Sequence, residues 1–179
     1  MNIFAVNQDP ITAARELPDK HVTKMILESA QMLSVVFSEH YWGVGTVSKV
    51  DGTPFKTEKG AFKKHPCTMW AADSFENCAW LIQHACGLCT EYRYRYGKTH
   101  GLTHSVFDTK KLFHRVTGEP ITVFRNITGF ARAMPDEYKL TIPLMTSLLI
   151  KGMSVPNHGV VTNYLRKPDR LPTWLTVAA

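Results

Sequence analysis

The stretch "DKHVTKMILESAQML", residues 19–33, places side chains that could do acid–base chemistry at helical spacing. His21, Lys24, Glu28 and Gln31 recur at steps of three, four and three residues. At about 100° per residue they fall within an arc of about 80° on a helix. The rest of the circumference is mostly apolar, which is typical of a buried helix. We therefore expect the stripe to line a cleft; the alternative is a solvent face with a surface ion pair between Lys24 and Glu28.

A second polar stripe follows from a helix predicted over residues 67–96. Trp70, Asn77, Trp80 and His84 would lie on one side of that helix. Flat aromatic surface beside hydrogen-bonding groups suits an unstacked nucleobase. The sequence thus predicts substrate-binding roles for these residues and for Gln31. Ordinary core tryptophans remain the alternative interpretation.

Metal and redox chemistry are not expected. The "CGLC" at residues 86–89 is an isolated CxxC whose cysteines fall on the apolar side of the predicted helix. His100 and His104 have helical spacing but no HExxH motif accompanies them. The N-terminus shows no secretion signal, so we expect all cysteines to be free thiols in a cytoplasmic protein. No P-loop or GxGxxG motif is present, and we expect no cofactor.

Positive charge is concentrated in two segments of a chain with a net charge of +6. Residues 43–66 carry five lysines against one Asp and one Glu, and "EYRYRYGK" at residues 91–98 alternates tyrosine with basic residues. Basic side chains beside aromatic rings favour binding of nucleic-acid phosphates, although a merely solvated loop is the alternative. The candidate phosphate-binding residues are Lys56, Lys59, Lys63, Lys64, Arg93, Arg95 and Lys98, and His65 at the end of the loop is a further candidate for substrate binding.

Hydrophobic periodicity predicts a mainly α protein with one long basic loop. Asp9-Pro10 is typical of a helix N-terminus, and strand signals are few. We expect a single compact helical domain over residues 1–179, with no membrane-spanning segment. The expected helices cover residues 10–17, 19–39, 67–96, 103–116, 143–153 and 158–167.

The stretch "LPDKHVTKMILESAQML" resembles the first helical motif of the pyrimidine-dimer DNA glycosylase family of bacteriophages, the endonuclease V type, through Leu17, Asp19, His21 and Glu28. Three segments carry the pattern of a wider group of proteins similar to that family. They are "NQDPITAARELPDKHVTKMILESAQML", "HPCTMWAADSFENCAWL" and "LCTEYRYRYGKTH". The similarity covers residues 1 to about 100 and extends to a wider group of phage and bacterial proteins. It implies a small helical enzyme that binds duplex DNA and acts as a hydrolase in DNA repair. For a phage-encoded protein, the implied location is the cytoplasm of the host cell.

The resemblance also implies roles for particular residues. Glu28 matches the family's catalytic glutamate, which stabilises the sugar intermediate, while arginines of the family correspond to Leu27 and Gln31. The family's nucleophile is the α-amine of an N-terminal threonine. Counting back from His21, that residue aligns with the internal Asn7, so we expect the usual nucleophile to be unmatched.

Three functional hypotheses remain at this point. The first is an enzyme acting on a nucleobase or N-glycosidic bond in DNA or a nucleotide, with Glu28 as base or charge stabiliser and His21 and Lys24 positioning it or holding phosphate. In this hypothesis Lys24 is a substitute nucleophile. The second is a non-catalytic phage protein that binds nucleotides or nucleic acid through the same residues. The third is a purely structural protein, whose polar stripes would be exposed.

Overall fold

The computed structural model describes residues 2–41, 44–121 and 127–131. This part of the chain is mostly helical and contains no strand beyond an isolated bridge between Ser48 and Pro54. The mainly α prediction is therefore confirmed. The elements are α1 (Pro10–Arg15), α2 (Asp19–Val35), a π-helical turn (Val36–His40), a 3-10 turn (Lys56–Lys59), α3 (Pro66–Asp73), α4 (Phe75–Tyr96) and α5 (Thr103–Thr117).

The first two helices begin where the sequence predicts. The Asp9 carboxylate accepts a hydrogen bond from the Thr12 amide at 2.7 Å, and Pro10 occupies the first turn, where its missing N–H costs nothing. The α-helical part of α2 ends at Val35 because the next five residues widen into the π-helical turn. The predicted helix over residues 19–39 is thus a single run of helix with a wider last turn.

The predicted helix over residues 67–96 is wrong, because Ser74 divides it into α3 and α4. Ser74 is extended, with φ −148° and ψ 158°. Its hydroxyl accepts a hydrogen bond from the Asn77 amide at 3.1 Å, which is the usual way a serine caps a new helix. Residues before and after Ser74 therefore do not form one continuous stripe.

Helix α4 is the centre of the packing and contacts α1, α2, α3 and α5. It approaches α1 closely at Gly87, where a Cβ atom would lie 2.9 Å from the Ala14 Cβ. Cys86 and Cys89, which flank this position, are buried, and burial raises the pKa of the Cys89 thiol to about 12. All four cysteines are free thiols, as predicted. The CGLC segment therefore serves helix packing.

The basic loop is fixed to the helices rather than free in solution. Val47 and Phe55 are buried. The hydroxyls of Ser34 and Thr57 are hydrogen-bonded at 2.6 Å, which ties the 3-10 turn to α2. The lysines of the loop therefore project from a defined surface.

The helices predicted over residues 143–153 and 158–167 lie outside the described residues. Within residues 2–121 and 127–131, apart from the gap at 42–43, no helix is both long and apolar enough to cross a membrane.

His84 lies in the core of α4 with an exposed fraction of 1 %, and neither ring nitrogen has a hydrogen-bond partner among the described residues. Its ring stacks on Trp80 with the centroids 4.9 Å apart. Burial penalises the imidazolium and lowers the pKa of His84 to about 3. The folded protein therefore holds a neutral imidazole in an apolar site.

This burial predicts a loss of stability in acid. The unfolded chain protonates His84 near its ordinary pKa, whereas the folded chain does not until about pH 3. Below about pH 6.5 the free energy of unfolding should fall by up to about 1.4 kcal/mol per pH unit from this residue, with no contribution above that pH. Urea unfolding of wild type and His84→Phe between pH 4 and 8 measures this difference. Equal acid sensitivity of the two proteins would contradict the prediction.

Candidate functional site

Glu28 lies where α2 meets the first residues of the chain. Its side chain is 13 % exposed, and Oε2 accepts a hydrogen bond from the Asn2 backbone N–H at 2.7 Å. Lys24 lies one helical turn earlier, with Nζ 3.3 Å from Glu28 Oε1. The lysine side chain is 68 % exposed, so this ion pair adds only a few tenths of a kcal/mol to stability. The geometry gives a mostly buried carboxylate with a backbone donor and a cation at its two oxygens.

The segment that carries Asn2 is held between α2 and α3. Ile3 forms a backbone hydrogen bond with the buried Cys67 thiol, whose pKa is raised by burial. The Phe4 ring meets the half-buried His21 ring edge to face, with centroids 4.8 Å apart. These contacts fix the N-terminal residues beside the polar stripe of α2.

His65, at the start of α3, lies near the N-terminal segment. Its Nδ1 accepts a hydrogen bond from the Cys67 amide at 3.2 Å, which caps α3. Burial lowers the pKa of His65, while the nearby Glu28 carboxylate acts in the opposite direction. A neutral imidazole near a carboxylate can accept or relay a proton. Gln31 is half-buried one turn beyond Glu28 on α2.

The predicted aromatic surface is inside the protein. Trp70 and Trp80 are 6 % and 0 % exposed, and their rings meet edge to face. The Trp80 indole donates to the Gln8 carbonyl at 2.6 Å. His84, described above, is buried beside them. These rings therefore offer no open face to a base. Their substrate-binding role stays a prediction, and the geometry does not favour it.

Asn77 links α3, α4 and a later segment. Its amide nitrogen donates to the Trp70 carbonyl at 2.8 Å and to the Thr128 hydroxyl at 2.7 Å, and its oxygen accepts from the Thr128 amide at 3.0 Å. The side chain is fully buried. We therefore propose that Asn77 fixes residues 127–131 against the helices rather than contacting a substrate.

Most of the predicted phosphate-binding residues are exposed. Lys63 donates to the Glu39 carboxylate at 2.9 Å and remains 45 % exposed. The others that are open to solvent are Lys56, Lys59, Lys64, Arg93 and Lys98. The lysines of the loop precede His65 along the chain.

Arg95 is used differently. Its side chain is only 14 % exposed. The guanidinium donates to the Arg15 and Leu17 carbonyls, each at 2.7 Å, to Asp19 at 2.9 Å and to Glu91 at 3.1 Å. These acceptors include the Arg15 carbonyl at the C-terminal end of α1, which has no partner within that helix. For Arg95 we propose a structural role in place of the phosphate contact predicted from sequence.

Sequence reasoning missed the contribution of the N-terminal residues. Counting back from His21 pointed to Asn7, but the Asn7 side chain instead accepts from the Asp9 amide at 3.0 Å, before α1. The nitrogen that reaches Glu28 belongs to Asn2. A backbone donor carries no side-chain signature, so no pattern in the sequence could have identified it. Among the described residues, no three His, Cys, Asp or Glu side chains are grouped so that they could hold a metal ion.

Comparison with known proteins supports the resemblance. No curated protein and no solved structure shows a significant match to the chain. A family model described as pyrimidine dimer DNA glycosylase matches residues 1–104, more than half of the sequence. This range includes Glu28, the N-terminal segment and the basic loop. The chain therefore belongs to the pyrimidine dimer DNA glycosylase family.

Proposed function

We propose that this protein is a DNA glycosylase that breaks the bond between a base and C1′ of its deoxyribose, with Glu28 stabilising the sugar. The observation that carries this proposal is the 2.7 Å contact between the Asn2 backbone nitrogen and Glu28 Oε2. It places the backbone of residue 2 against a mostly buried carboxylate, and this backbone nitrogen is at or next to an amine if translation begins at Met1. Family membership supports DNA as the substrate.

The chemistry that fits this pair is nucleophilic displacement. An amine attacks C1′ as the bond from C1′ to the base breaks, and the base departs with the bonding electrons and takes up a proton. Positive charge develops on the sugar, and the Glu28 carboxylate stabilises it. Opening of the sugar at the C1′–O4′ bond then gives an imine between C1′ and the amine. Loss of a C2′ proton and departure of the 3′ phosphate would break the strand.

Two nitrogens could supply the amine. If translation begins at Met1 and Met1 is retained, its α-amine is three bonds from the Asn2 nitrogen, a separation of about 3 Å. If Met1 is removed, the Asn2 nitrogen is itself the amine. Lys24 Nζ lies 3.3 Å from the other carboxylate oxygen. An α-amine is a weaker base than a lysine side chain and is more often unprotonated at neutral pH, so we favour the N-terminal amine.

Borohydride trapping tests this proposal. Duplexes carrying a thymine dimer or an abasic site would be incubated with the protein and sodium borohydride, and peptide mass spectrometry would locate any adduct. We expect a covalent adduct at residue 1 or 2 that persists in Lys24→Ala. An adduct at Lys24 would leave the reaction class intact but reassign its nucleophile. No adduct and no strand cleavage, with saturable DNA or nucleotide binding, would contradict the proposal and favour a non-catalytic binding protein.

A further inference from the structure

Phe62 presents an aromatic ring to solvent within the basic loop. The residue is 52 % exposed and lies among Lys59, Lys63 and Lys64, each of which is also exposed. A large apolar side chain gains nothing from exposure to water, and here its neighbours along the chain are cations that attract phosphate. This combination of charge and ring matches duplex DNA, which offers phosphates outside and flat apolar bases inside.

The backbone at Phe62 is strained. Its φ is +66°, and it is the single non-glycine residue with positive φ among the residues that the structure describes. Side chains with a Cβ atom avoid this region, and bulky ones rarely adopt it. Strained residues of this kind cluster at ligand-binding positions, where the surrounding structure holds them in place.

The loop is held firmly enough to maintain that strain. The Ser38 hydroxyl donates to the Glu58 carbonyl at 2.9 Å, and Lys63 donates to Glu39 at the same distance. Together with the bond between Ser34 and Thr57, these contacts fasten both sides of the turn to α2 and to the π-helical turn that follows it. The Phe62 ring is therefore presented from a rigid support, so binding need not first order the loop.

The same turn places Phe62 near Glu28. The His65 amide donates to the Phe62 carbonyl at 2.9 Å, which closes a turn and keeps the two Cα atoms within about 7 Å. His65 in turn lies close enough to Glu28 for the carboxylate to act on its pKa. A series of short contacts also joins the two regions: the Cys67 amide donates to His65 Nδ1, Cys67 bonds the Ile3 backbone, and the adjacent Asn2 donates to Glu28.

We propose that Phe62 enters the base stack of duplex DNA beside the nucleotide on which Glu28 acts, while the neighbouring lysines bind the flanking phosphates. The choice of DNA as ligand rests on the proposed function. An inserted ring fills the space that an extruded nucleotide vacates and lowers the cost of extrusion. Phe62 is then a binding residue that unstacks the duplex, with no part in bond breaking.

The test measures DNA binding without turnover, in the Glu28→Gln background. Thymine-dimer duplexes would carry 2-aminopurine at successive steps on either side of the lesion, because its fluorescence rises when it is unstacked. We expect a rise at one step, loss of that rise in Phe62→Ala, and its retention in Phe62→Trp. Affinity for the duplex should weaken about 5- to 150-fold in Phe62→Ala, the range for one lost stacking contact.

Phe107→Ala is the matched control. Phe107 is 43 % exposed on α5, and Lys110 Nζ lies 4.9 Å from its ring centroid, so it too is an exposed ring beside a lysine. We expect unchanged affinity and fluorescence in this variant. The salt dependence of binding distinguishes the contribution of the ring from that of the lysines. Phe62→Ala should keep the slope of log affinity against log salt concentration, whereas Lys64→Ala should reduce the magnitude of this slope by about one.

Phe62→Gly distinguishes an effect on DNA binding from an effect on folding. Glycine adopts positive φ freely, so this variant should melt about 2–4 °C higher than Phe62→Ala while binding DNA equally weakly. Unchanged affinity and fluorescence in Phe62→Ala and Phe62→Gly would overturn the inference. If those variants lose the signal but the wild type forms no borohydride adduct, DNA insertion stands and the glycosylase proposal fails.

Discussion

Replacing Glu28 with glutamine should lower strand cleavage and imine trapping by about 10²- to 10⁴-fold, the range for losing one positioned catalytic group. Glutamine has nearly the same shape, and its side-chain oxygen can still accept the hydrogen bond from Asn2. What disappears is the negative charge that would face the developing cation on the sugar. The effect should therefore fall on the chemical step rather than on DNA affinity.

Single-turnover cleavage of a thymine-dimer duplex measures this effect, with circular dichroism and melting temperature to verify folding. Folding should change little, because the ion pair from Glu28 to the exposed Lys24 is weak. Glu76→Gln on α4 is a matched control, since Glu76 is also partly buried and lies in another helix. Full activity in Glu28→Gln would remove the carboxylate from the mechanism. A wild-type protein that binds the duplex but never cleaves it would favour the non-catalytic hypothesis.

Replacing Arg95 with alanine should lower the free energy of unfolding by about 2–4 kcal/mol. The change leaves four hydrogen bonds unmade, to two carbonyls and two carboxylates. Hydrogen bonds from a charged donor are the stronger kind, and the guanidinium geometry lets one side chain reach all these acceptors. The Asp19 side chain is 43 % exposed and the bond to the Arg15 carbonyl is open to water, which moderates the loss.

Urea denaturation of Arg95→Ala, Arg95→Lys and Arg93→Ala separates a structural role from a phosphate contact. Lysine keeps the charge but cannot reproduce the set of hydrogen bonds, so Arg95→Lys should lose most of the same stability. Arg93 is exposed two residues earlier on α4, and its replacement should change stability by no more than about 0.5 kcal/mol. A stable Arg95→Lys with weakened DNA binding would instead support the phosphate role.

The sequence by itself determined the helical class and the local elements, since these depend on neighbouring residues. The 3.6-residue period identified α2 and its polar stripe, and the helix start at Asp9-Pro10 follows from capping chemistry. The pair of Lys24 and Glu28 is also local, one helical turn apart. The clustering of lysines in residues 43–66 is a matter of composition, and the structure confirms a long loop there.

Only the tertiary structure decided which of the predicted site residues are buried and which face solvent. Trp70, Trp80 and His84 have the pattern of a binding face, but the packing of α3 and α4 against each other and against the other helices buries them. Ser74 ends one helix and caps the next, a choice that periodicity does not reveal because both sides remain helical. The contact from Asn2 to Glu28 spans 26 positions and uses a backbone donor. Periodicity reports contacts within about one helical turn, so long-range contacts such as this one require the fold itself.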